Sequence, residues 1–488
     1  MGPIPSDLYL RWRAESPGLL RLRETPPGAP PPEHLLQQIW RHQRLHRDHL
    51  KTTAGERLTI LHPGFWNREA GPDFRDAVLQ FGEEPAVTGD VEVDLAAEGW
   101  HHHGHDLNPN YRRVRLHVVW KVDAAKTAPL PTVAIREAID APLSELEEWL
   151  GTETAAVSLA GLQAGQCAGP LNRLETDTAI ELLTQAASVR LRQKASQLRA
   201  RARDAGWEQA LWEALLAALG YKHNAWPMRR LGELRGRLAA TEAGRTPSPL
   251  ELQARLLGVS GLLPSEPPRA GPAAREHWRR LWDLWWRERA ALAPTSLPRS
   301  VWRLAGVRPA NHPQRRLALA AGWMADPDWA RRLQGWATDA VGEEEPVASL
   351  LRVLQPPRDD FWERHWTFGS AVRTGPQPLL GPPRATDLAM NAILPWFWSR
   401  ADAGENLELR ERMERRYFAW PAAQDNALLR LARLRLFAGR RVTLPRRAAL
   451  QQGLMQIVRD FCDHSNALCD GCCFPQLVGG LQTQPRSL

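Results

Sequence analysis

The sequence predicts a multidomain α+β protein: a small N-terminal α/β domain, a large irregular all-helical domain after it, and a cysteine-rich tail. Three observations carry that expectation. Short β-like runs cluster between residues 58 and 135, whereas beyond residue 170 apolar residues recur at helical spacing. Four of the five cysteines crowd between Cys462 and Cys473. The chain, at 488 residues and 43% apolar, is too long for one ordinary core and apolar enough to bury several. The expected boundaries are a proline-rich leader at 1–33, the α/β domain at 34–150, the helical domain at 151–445 and the tail at 446–488.

Each element has its own reason. The run ETPPGAPPPE closes the leader, because its prolines suit neither a helix interior nor a central strand. From Glu33 to Leu50, Leu35, Leu36, Ile39, Trp40 and Leu45 give a helix with one apolar side. Strands are expected at 58–61, 74–81, 87–95, 114–122 and 132–135, with a short crossing before the fourth. The order is therefore helix, three strands, crossing, strand. Thr176 to Leu219 reads as a long, mostly unbroken helix, and similar segments follow between Gly-Pro and Pro-Pro turns. Most of the 22 tryptophans are expected as core or groove filler. Asn391 and Asn426 are expected as buried polar groups between helices.

The formal charge is +8, and only five of the 63 basic residues are lysines. That balance suits an anionic partner such as nucleic acid, although arginine on solvated helix faces gives the same sum. No apolar run reaches the roughly 18–20 residues that cross a bilayer, and no charged-then-apolar leader opens the chain. A soluble, cytoplasmic protein without a membrane partner is the expectation.

The residues able to do chemistry concentrate between Pro63 and Lys121. GFWNREAGPDF, GDVEVD, Trp100 followed by HGHD, Tyr111 followed by VRLHVV, the later RPANHPQRRLALAA and the cysteine-bearing end occur in that order. In this combination the chain resembles a bacterial family known as domain of unknown function 2851, over about residues 34 to 475. The resemblance implies no activity. It does imply His where this chain carries Asp94.

Pro72-Asp73, eighteen residues, then Glu92-Val93-Asp94 resembles the PD-(D/E)xK nuclease pattern, whose fold also runs helix, three strands, helix, strand. Alternation along a strand puts Glu92 and Asp94 on one face and Val91, Val93 and Leu95 on the other. With Asp73 on the same side, the carboxylates form a hard oxygen site suited to Mg²⁺ or Mn²⁺. Such an ion lowers the pKa of a bound water for attack on a phosphodiester. The pattern's final lysine is absent, because Asp94 holds that position. Lys121 on the fourth strand, of one parity with His117 and Arg115, is the candidate replacement, and His117 is a candidate assistant. Exposed acidic pairs on strands are common without function.

The run Trp100 to Asp106 offers a second chemistry. His103 and His105 fall on one side of an extended segment, and His117 completes a three-nitrogen set for Zn²⁺ or Fe²⁺. A His-x-His pair also opens the metal box of cupin-like barrels, although the glutamate expected after it is missing here.

Cys469-Asp-Gly-Cys472 is the spacing at which two thiolates share a tetrahedral ion, and Cys462 supplies a third. Cys167, His464 and Cys473 are alternatives for the fourth. Either zinc or an iron–sulfur cluster suits the group. Nucleases of the PD-(D/E)xK class that pin their chains with a split four-cysteine cluster are an analogy for the second. In the helical domain, Arg308, Asn311, Arg315 and Arg316 make a basic patch suited to a phosphate backbone, with Trp302 or Trp323 near enough in sequence to stack a base.

Three functions follow as expectations. They are a Mg²⁺- or Mn²⁺-dependent nuclease or phosphodiesterase, a non-catalytic nucleic-acid or partner-binding scaffold, and a histidine-ligated Zn or Fe hydrolase or cupin-like enzyme.

Overall fold

Alternating apolar residues build one sheet of six strands: β1 (Leu58–His62), β2 (Phe65–Trp66), β3 (Phe74–Phe81), β4 (Val87–Ala96), β5 (Val114–Lys121) and β6 (Thr132–Ala134). The order is β1-β3-β4-β5-β6, with β2 paired to β3. β1, β3 and β4 run antiparallel, whereas β5 lies parallel to β4 and β6 parallel to β5. The parallel step needs a crossover, and residues 97–113 supply it with the short helix Gly99–His102 and a 3₁₀ turn at Pro109–Tyr111. The computed structural model describes residues 4–15, 30–67, 70–122, 129–150, 163–241, 244–339, 344–440, 444–462, 469 and 471–483, and its class is mixed α+β.

One face of the sheet is dry. Val91, Val93, Leu116, Val118 and Trp120 pack there with Leu35, Leu36, Ile39 and Trp40 of the helix Glu33–His42 and with Leu146 and Leu150 of the helix Leu143–Leu150. The helix expected to run to Leu50 stops at His42, because Gln43 turns left-handed at φ 51°.

The chain divides into two compact units, and their boundaries differ from those expected. The first comprises residues 1–82, 87–200 and 417–488; the second comprises 83–86 and 201–416. The expected helical domain at 151–445 is thus shared between the two, because both of its ends pack with the first unit. Part of the expected leader is core. Leu8–Ala14 is a helix whose Tyr9 and Trp12 are buried among Leu182, Leu183, Ile457, Phe461 and Phe474. The expected tail also begins as core, since the helix Ala448–Ile457 is buried along its whole length. The long helix expected from Thr176 to Leu219 is two, Thr176–Ala205 and Trp207–Leu219, separated by Gly206 at φ 83°.

The second unit is helical. Trp323, Trp329 and Trp362 are fully buried there as filler. Asn391 and Asn426 are exposed, not buried; Asn426 caps the helix Ala427–Phe437 by accepting from the Leu429 N–H at 2.8 Å. Among the described residues no helix is long and apolar enough to cross a membrane.

Candidate metal centre

Register decides which carboxylates meet. Phe74 lies opposite Val91, so Asp73 at the mouth of β3 faces Glu92 on β4. Two backbone N–H groups fix the pair. The Asp73 N–H donates to Glu92 Oε2 at 3.1 Å, and the Val93 N–H donates to Asp73 Oδ2 at 3.1 Å. Alternation then brings Asp94 to the same face, away from Val91 and Val93 in the core.

β5 and the crossover surround this group with imidazoles. Glu92 pairs in register with His117, whose Nε2–H donates to Asp94 Oδ2 at 2.8 Å. His103 Nδ1 lies 3.2 Å from Asp94 Oδ1, and His105 Nε2 lies 3.2 Å from Glu92 Oε1. His105 is clamped by Tyr111, stacked at 3.9 Å, and by the edge of Trp100. The two histidines arrive on a helical turn with Gly104 at φ 68°, not on an extended segment. The expected three-nitrogen set is therefore not the one that converges. Asp94, His103 and His105 have ligand atoms within 4.8 Å of one another, and His117 instead holds Asp94 from behind.

Burial and like charge govern the protons. Burial, with the charge of Glu33 beside it, pushes the Asp73 carboxyl up to about 7. Burial, with the charge of Asp73, pushes Glu92 up to about 9. Burial lowers His105, which favours its neutral, metal-ligating form. Tyr111 is pushed up to about 12 by burial and by Glu92, so the phenol keeps its proton. A carboxylate cluster that retains protons near neutrality is one in which a divalent cation can take their place.

Glu33 and Gln37 belong to this neighbourhood and were missed from the sequence. Gln37 Nε2 donates to Asp73 Oδ1 at 2.9 Å and reaches Glu33 Oε1 at 3.4 Å. Their spacing of four on the helix preceding the acidic strands was the available signal.

Other expected residues lie elsewhere. Lys121 is exposed and pairs in register with Ala96, two positions beyond the Asp94–Val119 pair. Arg315 and Arg316 are buried and engaged by the protein itself. Arg315 donates to the carbonyls of Trp362 and Gln377, and Arg316 donates to that of Leu379 and to Asn311 Oδ1. As placed, Asn311, Arg315 and Arg316 brace the fold, because guanidinium forks spent on internal carbonyls have little left for phosphate. Arg308 is exposed. Cys167, Cys462, Cys469 and Cys472 converge in the first unit: Cys167 and Cys462 share its core, Cys472 packs against it, and Cys167 lies within electrostatic reach of the other three.

Fold and site together define a mixed α+β protein with a buried carboxylate–imidazole cluster on the face of its sheet opposite the apolar core. A family model described as a protein of unknown function (DUF2851) matches residues 33–426. The chain belongs to that family. No curated protein and no solved structure matches it.

Proposed function

We propose that this protein is a divalent-metal-dependent hydrolase that cleaves phosphodiester bonds in nucleic acid. The observation that carries the reading is the meeting of Asp73 with Glu92 across β3 and β4, with Asp94 one alternation further along. Asp94, His103 and His105 hold the cation, and Glu92, whose Oε1 lies 3.2 Å from His105 Nε2, and Asp73 offer carboxylate oxygens beside it. The mixed oxygen and nitrogen set favours Mn²⁺ over Mg²⁺, because Mg²⁺ prefers oxygen alone. When bound, the ion offsets charge on the phosphate and acidifies the attacking water. His117, wholly buried, is a positioning residue that orients Asp94. His103, with its side chain 55% exposed, is the ligand nearest solvent, and the departing sugar oxygen takes its proton from water.

A polynucleotide substrate is supported by the second unit. On the helix Pro272–Leu292, Trp278, Trp282 and Trp286 stack in series with centroids 5.5 and 6.0 Å apart. Trp286 is 52% exposed, and Arg289 lies over its ring at 3.1 Å. A cationic aromatic stack of this kind takes bases regardless of sequence.

The test is cleavage of labelled single- and double-stranded DNA and RNA with Mn²⁺, Mg²⁺ or neither. Cutting should need the cation, and Glu92→Ala and Asp94→Asn should each lower it by at least about 100-fold. Binding without cutting under every cation would replace this reading with a non-catalytic scaffold. A second reading is favoured by the Asp94, His103, His105 group, whose two imidazoles and one carboxylate suit Zn²⁺ or Fe²⁺. One firmly held zinc or iron lost in His105→Ala, with no phosphodiester cleavage, would establish it.

A further inference from the structure

We propose that Cys167, Cys462, Cys469 and Cys472 together hold a metal centre through their thiolates and pin the segment leading into the helix Thr176–Ala205 to the C-terminal end of the chain. Four of the five cysteines gather in the first unit, although 294 positions separate Cys167 from the next, Cys462. Cys167 and Cys462 belong to its buried core, with Cys472 and Cys473 packed against it, and none of the five is in a disulfide. The three later sulfurs are near enough to Cys167 for a charge on any of them to be felt there.

The local backbone is shaped for sulfur ligands. Cys469 and Gly471 both take left-handed φ, 63° and 68°, and this bends Cys469-x-x-Cys472 into a tight turn. The Phe474 N–H donates to the Cys472 sulfur, and Arg435 Nη2 donates to Cys469 Sγ at 2.9 Å. Arg435 is itself buried and fixed by the carbonyl of Gln163 at 2.7 Å, four residues before Cys167. One guanidinium thus bridges the two halves of the group. Donors aimed at sulfur steady a thiolate once a metal has displaced its proton.

The alternatives fit less well. Burial pushes the thiols of Cys167 and Cys472 up to about 12 and about 11, which is wrong for reactive redox cysteines. A metal would displace those protons. Cys473 points elsewhere, its Sγ 3.9 Å from the Glu15 carbonyl, and is not a ligand. Around one zinc ion, bonds of about 2.3 Å keep four sulfurs about 3.8 Å apart. Among the described residues no three cysteines gather within 4.8 Å of one another.

The full-length protein, purified without oxygen, tests this directly. Iron with inorganic sulfide and visible absorbance, or one zinc per chain, supports a thiolate centre and tells the two kinds apart. Cys167→Ser and Cys469→Ser should each lose most of the metal, and Cys473→Ser should keep it. A chelator that strips the metal should lower the wild-type melting temperature. Wild-type protein with no metal and five freely alkylated thiols overturns the proposal, as do disulfides among the four. Full metal retention in a folded Cys167→Ser protein overturns the cross-link. None of these readouts involves cleavage, so the outcome stands apart from that of the hydrolase reading.

Discussion

Glu92 shows what burying a carboxyl on this face of the sheet costs the metal-free chain. Its carboxyl holds a proton up to about 9 when folded, against 4.5 when exposed, so folding favours the protonated form. The stability this contributes is complete below about pH 4.5 and is lost as pH rises through about 9. Asp73 acts in the same direction through about 7. His105, lowered by burial from 6.5, acts oppositely, and its contribution is whole above 6.5 and is lost as pH falls below that towards its lowered folded value. Between pH 7 and 9 the carboxylates therefore dominate. The melting temperature of metal-free protein should fall across that window, and Mn²⁺ should raise it more at pH 9 than at pH 7. A melting temperature flat in pH and indifferent to Mn²⁺ would contradict a cation site. The acidic residues themselves were legible in the sequence, because alternation along β4 fixes the face of Glu92 and Asp94. The partnership of Asp94 with His103 was not, because a turn at Gly104 decides it and a turn leaves no period to read.

Among the elements, the crossover between β4 and β5 is tightly constrained at Gly99. A Cβ at Gly99 would come within 2.7 Å of the Asp94 carboxyl, which His117 holds from the other side. Gly99→Ala should therefore displace Asp94 and lower cleavage by about 10- to 100-fold, with a raised Mn²⁺ requirement while the fold persists. Activity and Mn²⁺ titration, read beside circular dichroism, check this. The tryptophan stack makes a separate prediction. Trp286→Ala should weaken binding of single-stranded oligonucleotides by roughly 1–3 kcal/mol, measured by anisotropy, and leave thermal stability nearly unchanged. The strands matched their apolar alternation closely, except for two-residue β2, which is too short to show a pattern. The helices were legible as helices, but not which tryptophans reach solvent. Trp278, Trp282 and Trp286 share a spacing with buried rings, and only the packing distinguishes them.

For the whole molecule, the buried Asp460 ties both ends of the chain together. It accepts from Tyr9 Oη at 2.8 Å, lies 3.4 Å from Arg13 and accepts from Gln456 at 3.0 Å. Asp460→Ala leaves the Arg13 charge buried without its partner and should cost about 3–5 kcal/mol, read from denaturant unfolding. The division into units escaped the sequence because it follows contacts between distant segments, and composition does not change where the chain returns at residue 417. That return also sets an order of events during synthesis. Residues 201–416 emerge together and can close early, but Tyr9 and Trp12 must wait for Phe474, about 460 positions further along the chain. Until Phe474 has emerged, the helix Leu8–Ala14 has no finished core to enter, which makes it a natural site for chaperone attention.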